Sequence, residues 1–593
     1  MEKHLREWRT TAVNKNQYET AIFVADKLLA LTKDDNDAFW LAQAHFRTGN
    51  YSRAQTYLSR GQLIERNPQC RYLHAQCSIK LGKIEEALDT LGEQNPTHLI
   101  SQPDNRHHKL RHVDVNVRSG RHKAALRSDR VPTSEERERE DSTSLKFEAG
   151  MCYLRGMCFA KQNAFDRAKE CFKTAVQIDV QCFEAFDELM SNALMSPAEE
   201  WAFLESLDFD MINVEDNPSL SQEAAEFTKT LYITRLSKYG RPAEFTDAAE
   251  TLSTHYNLSD NPDILLSKAE LLFTNCQFRN ALALTSYVLK TDKYNFAGIP
   301  IHVACLHELG EKNALFLLAH DLVDNHPQEP AAWLAVGTYY FSIHRIAEAR
   351  RFFSKASVMN PHFGSAWIGF AHTFSAEGEH DQAISAYSTA ARLFQGTHLP
   401  QLFLGMENLQ LNNLSLAHEY LNTAYELCKD DPLLLNEMGV VFYQEENFPA
   451  AIEHFQRAIA IAEQNEADHD ALLPTRNNLA HALRQSGHLE EALDVFDEVL
   501  RHGDKDVAVF SAKGLVLLQL GRSWDAIVTL HEALAIDPQA TLATDLLNKA
   551  FAENESEPIA NDEEEFADLD RKVKGRLAGQ GKALDSMMLD SDI

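Results

Sequence analysis

The sequence predicts an all-α solenoid of paired helices, and three observations carry that prediction. Between Leu265 and Asp537 residues of similar size return every 34 positions, small residues recur at the same places within each period, and such periods consume nearly the whole chain of 593 residues. The clearest period begins at Trp333. Trp333, Val336, Gly337 and Tyr340 are followed by Ala349, Phe353, Ala356 and Pro361, which is the tetratricopeptide spacing with Val in place of Leu. One step of 34 further on stand Trp367, Phe370, Ala371 and Phe374, then Ala383, Tyr387 and Ala390.

The alanine slot of the second helix reads Ala281, Leu315, Ala349, Ala383, Ala417 and Ala451, so one position in six departs from a small residue. Two antiparallel helices approach closely only where their facing surfaces carry small residues. Gly337, Gly405, Gly439 and Gly514 fill that role on first helices, and Ala349, Ala383, Ala451 and Ala526 on second ones, with Phe353, Tyr387 and Phe455 filling the gap to the neighbouring repeat. After Ala451 the slot returns at Ala492 and Ala526, so seven residues are inserted near 464–470. The insertion reads as a longer helix or turn and not as a domain break.

Taken in order, residues 1–96 form an N-terminal block whose alanine slot falls at Ala21, Ala54 and Ala87. Gly49-Asn50 and Leu81-Gly82-Lys83 mark turns between paired helices, and Pro68 and Pro96 mark repeat ends. Trp8 and Trp40 are expected in the core of this block. Residues 97–146 read as a disordered polar insertion, basic from Arg106 to Arg130 and acidic from Glu135 to Asp141. Its His107, His108, His112 and His122 lack the cysteines or the helical spacing of a metal site, and no metal or other cofactor is expected.

Residues 147–261 are divergent helical pairs that open with Cys152, Arg155, Gly156, Phe159, Ala168, Phe172 and Ala175 in good register. The regular superhelix covers 262–539, residues 540–552 form a capping helix over its last apolar face, and 553–593 read as an acidic disordered tail.

Composition narrows the function. The formal charge of −31, from 88 Asp and Glu against 57 Lys and Arg, argues against nucleic acid as a partner. No apolar run of 18 residues asks for a membrane span, and charged residues at Glu2, Lys3, Arg6, Glu7 and Arg9 exclude a secretory signal core. The nine cysteines are odd in number and form no C-x-x-C pair, so buried free thiols in the nucleus and cytoplasm are expected. No phosphate loop, G-x-S-x-G or H-E-x-x-H is present, and no enzyme is expected.

What is left is a binding surface. Residues one, five and eight places after the Trp slot point into the concave channel: Leu334, Thr338 and Phe341; Ile368, His372 and Ser375; Leu402, Met406 and Leu409; Asn436, Val440 and Tyr443; Asn477, His481 and Arg484. Asn436 and Asn477 can pair with a peptide backbone, because a carboxamide both donates and accepts. The plain alternative is that both make contacts within the protein.

Three local blocks, D-A-F-W-L-A-Q at Asp37 to Gln43, C-R-Y-L at Cys70 to Leu73 and N-N-L-A-H-A-L-R at Asn477 to Arg484, make the chain resemble the subunit-six family of the anaphase-promoting complex. The resemblance covers most of residues 1–550. It implies a non-catalytic scaffold of a ubiquitin ligase acting in mitosis, alongside other tetratricopeptide subunits. It also implies a homodimer formed by the N-terminal repeats and a C-terminal channel enclosing the N-terminus of a small accessory subunit. Weakly regular repeats with exposed aromatics such as Trp40 and Tyr51 suit such self-association over residues 1 to about 180. The competing reading is an adaptor or co-chaperone that grips C-terminal carboxylates, but only Arg484 among the channel positions is basic.

Overall fold

The computed structural model describes residues 1–96, 99, 134–214, 217–503 and 505–556, with backbone alone for 134–144 and 556. Among these residues there are thirty α-helices and no strand. The histidines of the polar insertion and the acidic tail beyond 556 lie outside the described residues; the expected capping helix 540–552 runs on to Ser556 and takes in the first residues of that tail.

Each regular repeat is a pair of helices joined by a turn whose first left-handed residue is itself periodic. Cys276, Gly310, His344, Gly378, Asn412 and Glu446 have positive φ at intervals of 34, followed by Gly487 and Gly521. Five residues after each of these turns comes the alanine slot. Ala281, Leu315, Ala349, Ala383, Ala417, Ala451, Ala492 and Ala526 have no exposed surface, and neither have Ala21, Ala54, Ala87 and Ala168 in the N-terminal half.

The opposing surfaces explain the glycines. A Cβ on Gly337 would lie 2.7 Å from the Phe353 ring, and one on Gly369 would lie 2.8 Å from the same ring. Phe353 is therefore clasped between the first helices of two successive repeats. Gly405 against Leu421 and Gly514 against Leu530 repeat the arrangement, while Gly439 is buried in the helix Pro432–Gln444. The tryptophan slot has a polar role as well. Trp333 Nε1 donates to Pro327 O at 2.8 Å and Trp367 Nε1 to Pro361 O at 2.9 Å, so each ring ties the start of its repeat to the end of the preceding one.

Three expectations are corrected. Trp8 and Trp40 are 44% and 37% exposed and stay out of the core. Trp8 lies on the helix Glu2–Asn14 with the His4 ring 6.2 Å away, and Trp40 lies beneath the Arg9 guanidinium, 5.4 Å from its ring centre. The segment read as a polar insertion ends earlier than 146, because the helix Ser134–Lys161 takes in its last residues. The run S-E-E-R-E-R-E-D holds no Gly or Pro, and its Glu and Arg are good helix formers. The seven extra residues near 464–470 lengthen the helices Phe448–Gln464 and His469–Ser486, and the chain divides there into two compact bodies. The first comprises 1–446 and 457–468, the second 447–456 and 469–593.

The core of the first body is also less local than the repeats suggest. Leu393 and Phe394 are buried in one apolar cluster with Leu194, Met195, Trp201 and Phe172, and Trp367 packs against it. The boundary expected at 262 therefore does not separate independent cores.

The two kinds of glycine separate in stability measurements. Gly378 has φ of +75° with open space around it, so Gly378→Ala should cost about 1 kcal/mol from the left-handed backbone alone. Gly337→Ala drives a methyl into Phe353 and should cost roughly 1–3 kcal/mol by overpacking. Denaturant titration of both variants measures these costs, and trimming Phe353 to Leu should relieve only the second.

Candidate functional site

First helices of successive repeats touch one another in the first body: Ile299–Glu308 meets Pro330–Ser342, that helix meets Gly364–Ala376, and Leu399–Gln410 meets Pro432–Gln444. The first helices thus line the inner face. On it the structure gathers an aromatic and imidazole cluster around two of the expected residues. His372 stands edge-on to Phe403 at 4.7 Å and its Nδ1 shares a hydrogen bond with the Tyr387 hydroxyl. Phe341 lies 5.7 Å from the His307 ring, whose Nδ1 is 2.8 Å from Ser342 Oγ.

Burial pushes the His372 imidazole down to about 4, with the neighbouring His307 acting in the same direction, so His372 is neutral near pH 7. A neutral ring beside Phe403 and Tyr387 suits an apolar or amide group better than a charged one.

The other expected positions differ among themselves. Met406 and Tyr443 are half-buried, and Met406 packs against the cluster of Leu402, Leu409 and Leu421. Asn436 is buried, and its Nδ2 donates to Glu437 Oε1 at 2.9 Å, so part of its hydrogen-bonding capacity is used inside the protein. Leu334 and Leu402, placed in the channel by the spacing rule, are core residues; Leu334 clusters with Ala349 and Phe353. The position directly after the Trp slot turns toward the second helix here, and the apolar side chain follows it inward. Trp333, Gly337, Ala349, Pro361, Trp367, Ala383 and Gly439 serve repeat packing in this body, as described above.

In the second body the helix His469–Ser486 carries Asn477, His481 and Arg484 at i, i+4 and i+7, hence on one face. Asn477 Oδ1 and Arg484 Nε are both buried and have no hydrogen-bond partner among the described residues. His481 stands edge-on to Phe496 at 5.3 Å, and burial, assisted by Arg484, lowers its imidazole below the ordinary value. Ala451, Gly514 and Ala526 pack repeats in this body.

Two polar first-helix residues escaped the spacing rule. His307 stands one period of 34 before Phe341 in the same slot, so the register would have reached it had it been extended back one repeat. Gln401, whose Oε1 is buried without a partner among the described residues, stands at the Trp slot itself, where the rule expects packing.

Comparison with known proteins fits this architecture. Residues 14–94 match the family described as anaphase-promoting complex, cyclosome, subunit 3, and residues 149–181, 431–505 and 477–541 match tetratricopeptide repeat families. Over 553 residues the chain is 43% identical to the anaphase-promoting complex subunit cut9 of Schizosaccharomyces pombe, spanning 93% of this chain and 77% of that protein. It is 31% identical over 549 residues to anaphase-promoting complex subunit 6 of Arabidopsis thaliana, spanning 91% of this chain and 94% of that one. The chain belongs to the anaphase-promoting complex subunit 6 family. Among solved structures, the crystal structure of the APC/C hetero-tetramer Cut9–Hcn1 matches with a TM-score of 0.75 at 42% identity, covering 93% of this chain and 96% of that one. As a subunit 6 family member the chain is a tetratricopeptide-repeat protein whose relatives are components of that complex.

The buried neutral histidines give this fold an acid limit. His372 and His302, both held near 4 by burial, are depressed below their unfolded value, so the stability they contribute is present above about pH 6.5 and is lost as the pH falls toward 4. Melting curves should show a falling midpoint from pH 6.5 to 4.5, and a smaller fall in His372→Gln.

Proposed function

We propose that this chain is a non-catalytic scaffold subunit of an anaphase-promoting complex ubiquitin ligase, pairing with a second copy through its N-terminal repeats and holding the N-terminal segment of a small accessory subunit on its inner helices. The observation that carries this reading is the match, over nearly the whole of both chains, to Cut9 in a hetero-tetramer with Hcn1.

Features of this chain support each contact. In the first three helices Trp8, Phe23, Leu31 and Trp40 expose apolar surface, Phe23 and Leu31 at 58% and 61%. Such residues on one small block suit a two-fold, self-complementary interface. On the helix His469–Ser486 of the second body, Asn477 Oδ1 lacks a donor and Arg484 Nε an acceptor among the described residues, and the backbone of an extended peptide supplies both. The neutral cluster around His372 in the first body suits apolar side chains of such a segment.

The dimer contact is best tested in the full chain, since cutting at 262 would uncover Leu393 and Phe394. Phe23→Glu with Leu31→Glu should convert a dimer into a monomer in sedimentation equilibrium, without loss of helix content. A dimer that persists in the double variant would place the contact elsewhere.

The accessory contact is tested by calorimetric titration with the N-terminal peptide of the accessory subunit. Asn477→Ala should weaken binding by about tenfold, since an unpaired buried peptide group costs roughly 1–3 kcal/mol and 1.4 kcal/mol is a factor of ten. Arg484→Met should act in the same direction. Unchanged affinity in both, with normal melting, would remove this helix from the binding surface.

A further inference from the structure

A solenoid needs contacts only between neighbouring repeats. The first body has more than that. Gln277 Nε2 donates to Asn465 O at 2.7 Å across 188 residues of chain, and beside it the Asp468 N–H donates to Cys276 O at 3.1 Å. A second strip joins the divergent repeats to the regular ones. There the Gly396 N–H donates to Ala193 O at 2.7 Å, Phe165 meets the His362 ring edge-on at 5.9 Å, and Tyr239 meets His398 at 4.7 Å. His398 is buried with its Nε2 2.7 Å from Asp431 Oδ2, while the other oxygen of Asp431 caps the helix Pro432–Gln444.

These contacts are built and not incidental. A Cβ on Gly396 would fall 1.9 Å from Met195 O and 2.7 Å from Ala193 O, so the backbones touch where only glycine fits. Ala193 is the left-handed residue of its own helix–helix turn, with φ of 45°, and that turn presents its carbonyl to Gly396. The Leu393 and Phe394 side chains carry the apolar core across the strip.

The first strip brackets the inner-face cluster, and the second ties the same stretch of repeats back to the divergent ones. His307, Phe341, His372 and Met406 lie between Cys276 and Asp468, so joining those ends closes the stretch of solenoid that carries them. We infer that the two strips form a clasp that closes the turn of repeats sideways and leaves the inner face of the first body reachable only along its axis. An open spring would admit a folded partner laterally; a clasped one admits a thin, extended chain. This does not depend on which chain occupies the inner face.

The test uses the full-length protein with Ser375→Cys, a near-isosteric thiol on the inner slot shared with Phe341 and His307. Background from native thiols is low, because all nine cysteines are free and seven are buried. Labelling with N-ethylmaleimide is compared with labelling by a maleimide carrying a long polyethylene glycol chain, with the Cys-free-slot parent subtracted. The closed clasp should slow the bulky reagent by at least about tenfold relative to the small one, equivalent to an opening cost of 1.4 kcal/mol or more. Gly396→Val should abolish that discrimination while leaving the small reagent's rate and the helical circular dichroism unchanged. Gln277→Ala, which removes one donor and adds no clash, should reduce it in part and decides the matter should Gly396→Val lose helix. Equal rates for the two reagents in the parent, or discrimination unaltered by Gln277→Ala and by a folded Gly396→Val, would overturn the clasp.

Discussion

Everything in this fold depends on the close approach of two helices within each repeat. The alanine slot is where that approach is tightest: from Ala21 to Ala526 its alanines have no exposed surface, and the facing glycines have no room for a methyl group. Dispersion and apolar burial at this contact are the main return for ordering some thirty residues per repeat, and they are local, so each repeat can be assembled from its own sequence and its neighbour's. Leu315 shows the tolerance of the arrangement. It occupies the slot, fully buried, where its first-helix partners Val303 and Leu306 join it in one cluster.

This locality explains why so much of the fold was legible in sequence. Trp333, Gly337, Ala349, Phe353 and Pro361 each make a contact reachable within one or two periods, so their spacing survives as a pattern. The turns were less visible although they are as regular. A left-handed residue is required at 276, 310, 344, 378, 412 and 446, but the chain meets the requirement with Cys, Gly, His, Gly, Asn and Glu. A backbone constraint met by different side chains leaves no periodic letter. Trp8 and Trp40 failed for the opposite reason: their letter is right for a core, but each ring stays at the surface beside a polar neighbour, His4 for Trp8 and Arg9 for Trp40.

The inner face was legible in part. The positions five and eight after the Trp slot lead to His372, Phe341, His481 and Arg484, because side-chain direction follows from helix geometry. The position directly after the slot does not behave uniformly. Leu334 and Leu402 turn into the core, whereas Asn436 is buried with an internal partner, so the same geometry serves packing or polar contact according to the residue's own chemistry. Contacts between Ala193 and Gly396, or Cys276 and Asp468, could not be read at all. They join backbone groups of repeats five to six periods apart, and no side-chain pattern reports them.

The inner polar groups show how this chain divides its stability. Buried groups without partners among the described residues, such as Asn477 Oδ1 and Arg484 Nε, each oppose folding by roughly 1–3 kcal/mol, and neutral histidines such as His372 and His481 add a cost at acid pH. None of these sits at the alanine slots or the glycine contacts. The helix-pair interfaces therefore carry the repeats, and such polar groups lie away from them; among the described residues they also occur at His45 and at Trp201 Nε1 in the N-terminal half. Because the alanine-slot contacts and these polar groups lie apart, a substitution at Asn477 or Arg484 leaves the helix-pair packing in place. The converse holds for Gly337 or Gly514, where any added side chain meets Phe353 or Leu530 and never reaches a partner.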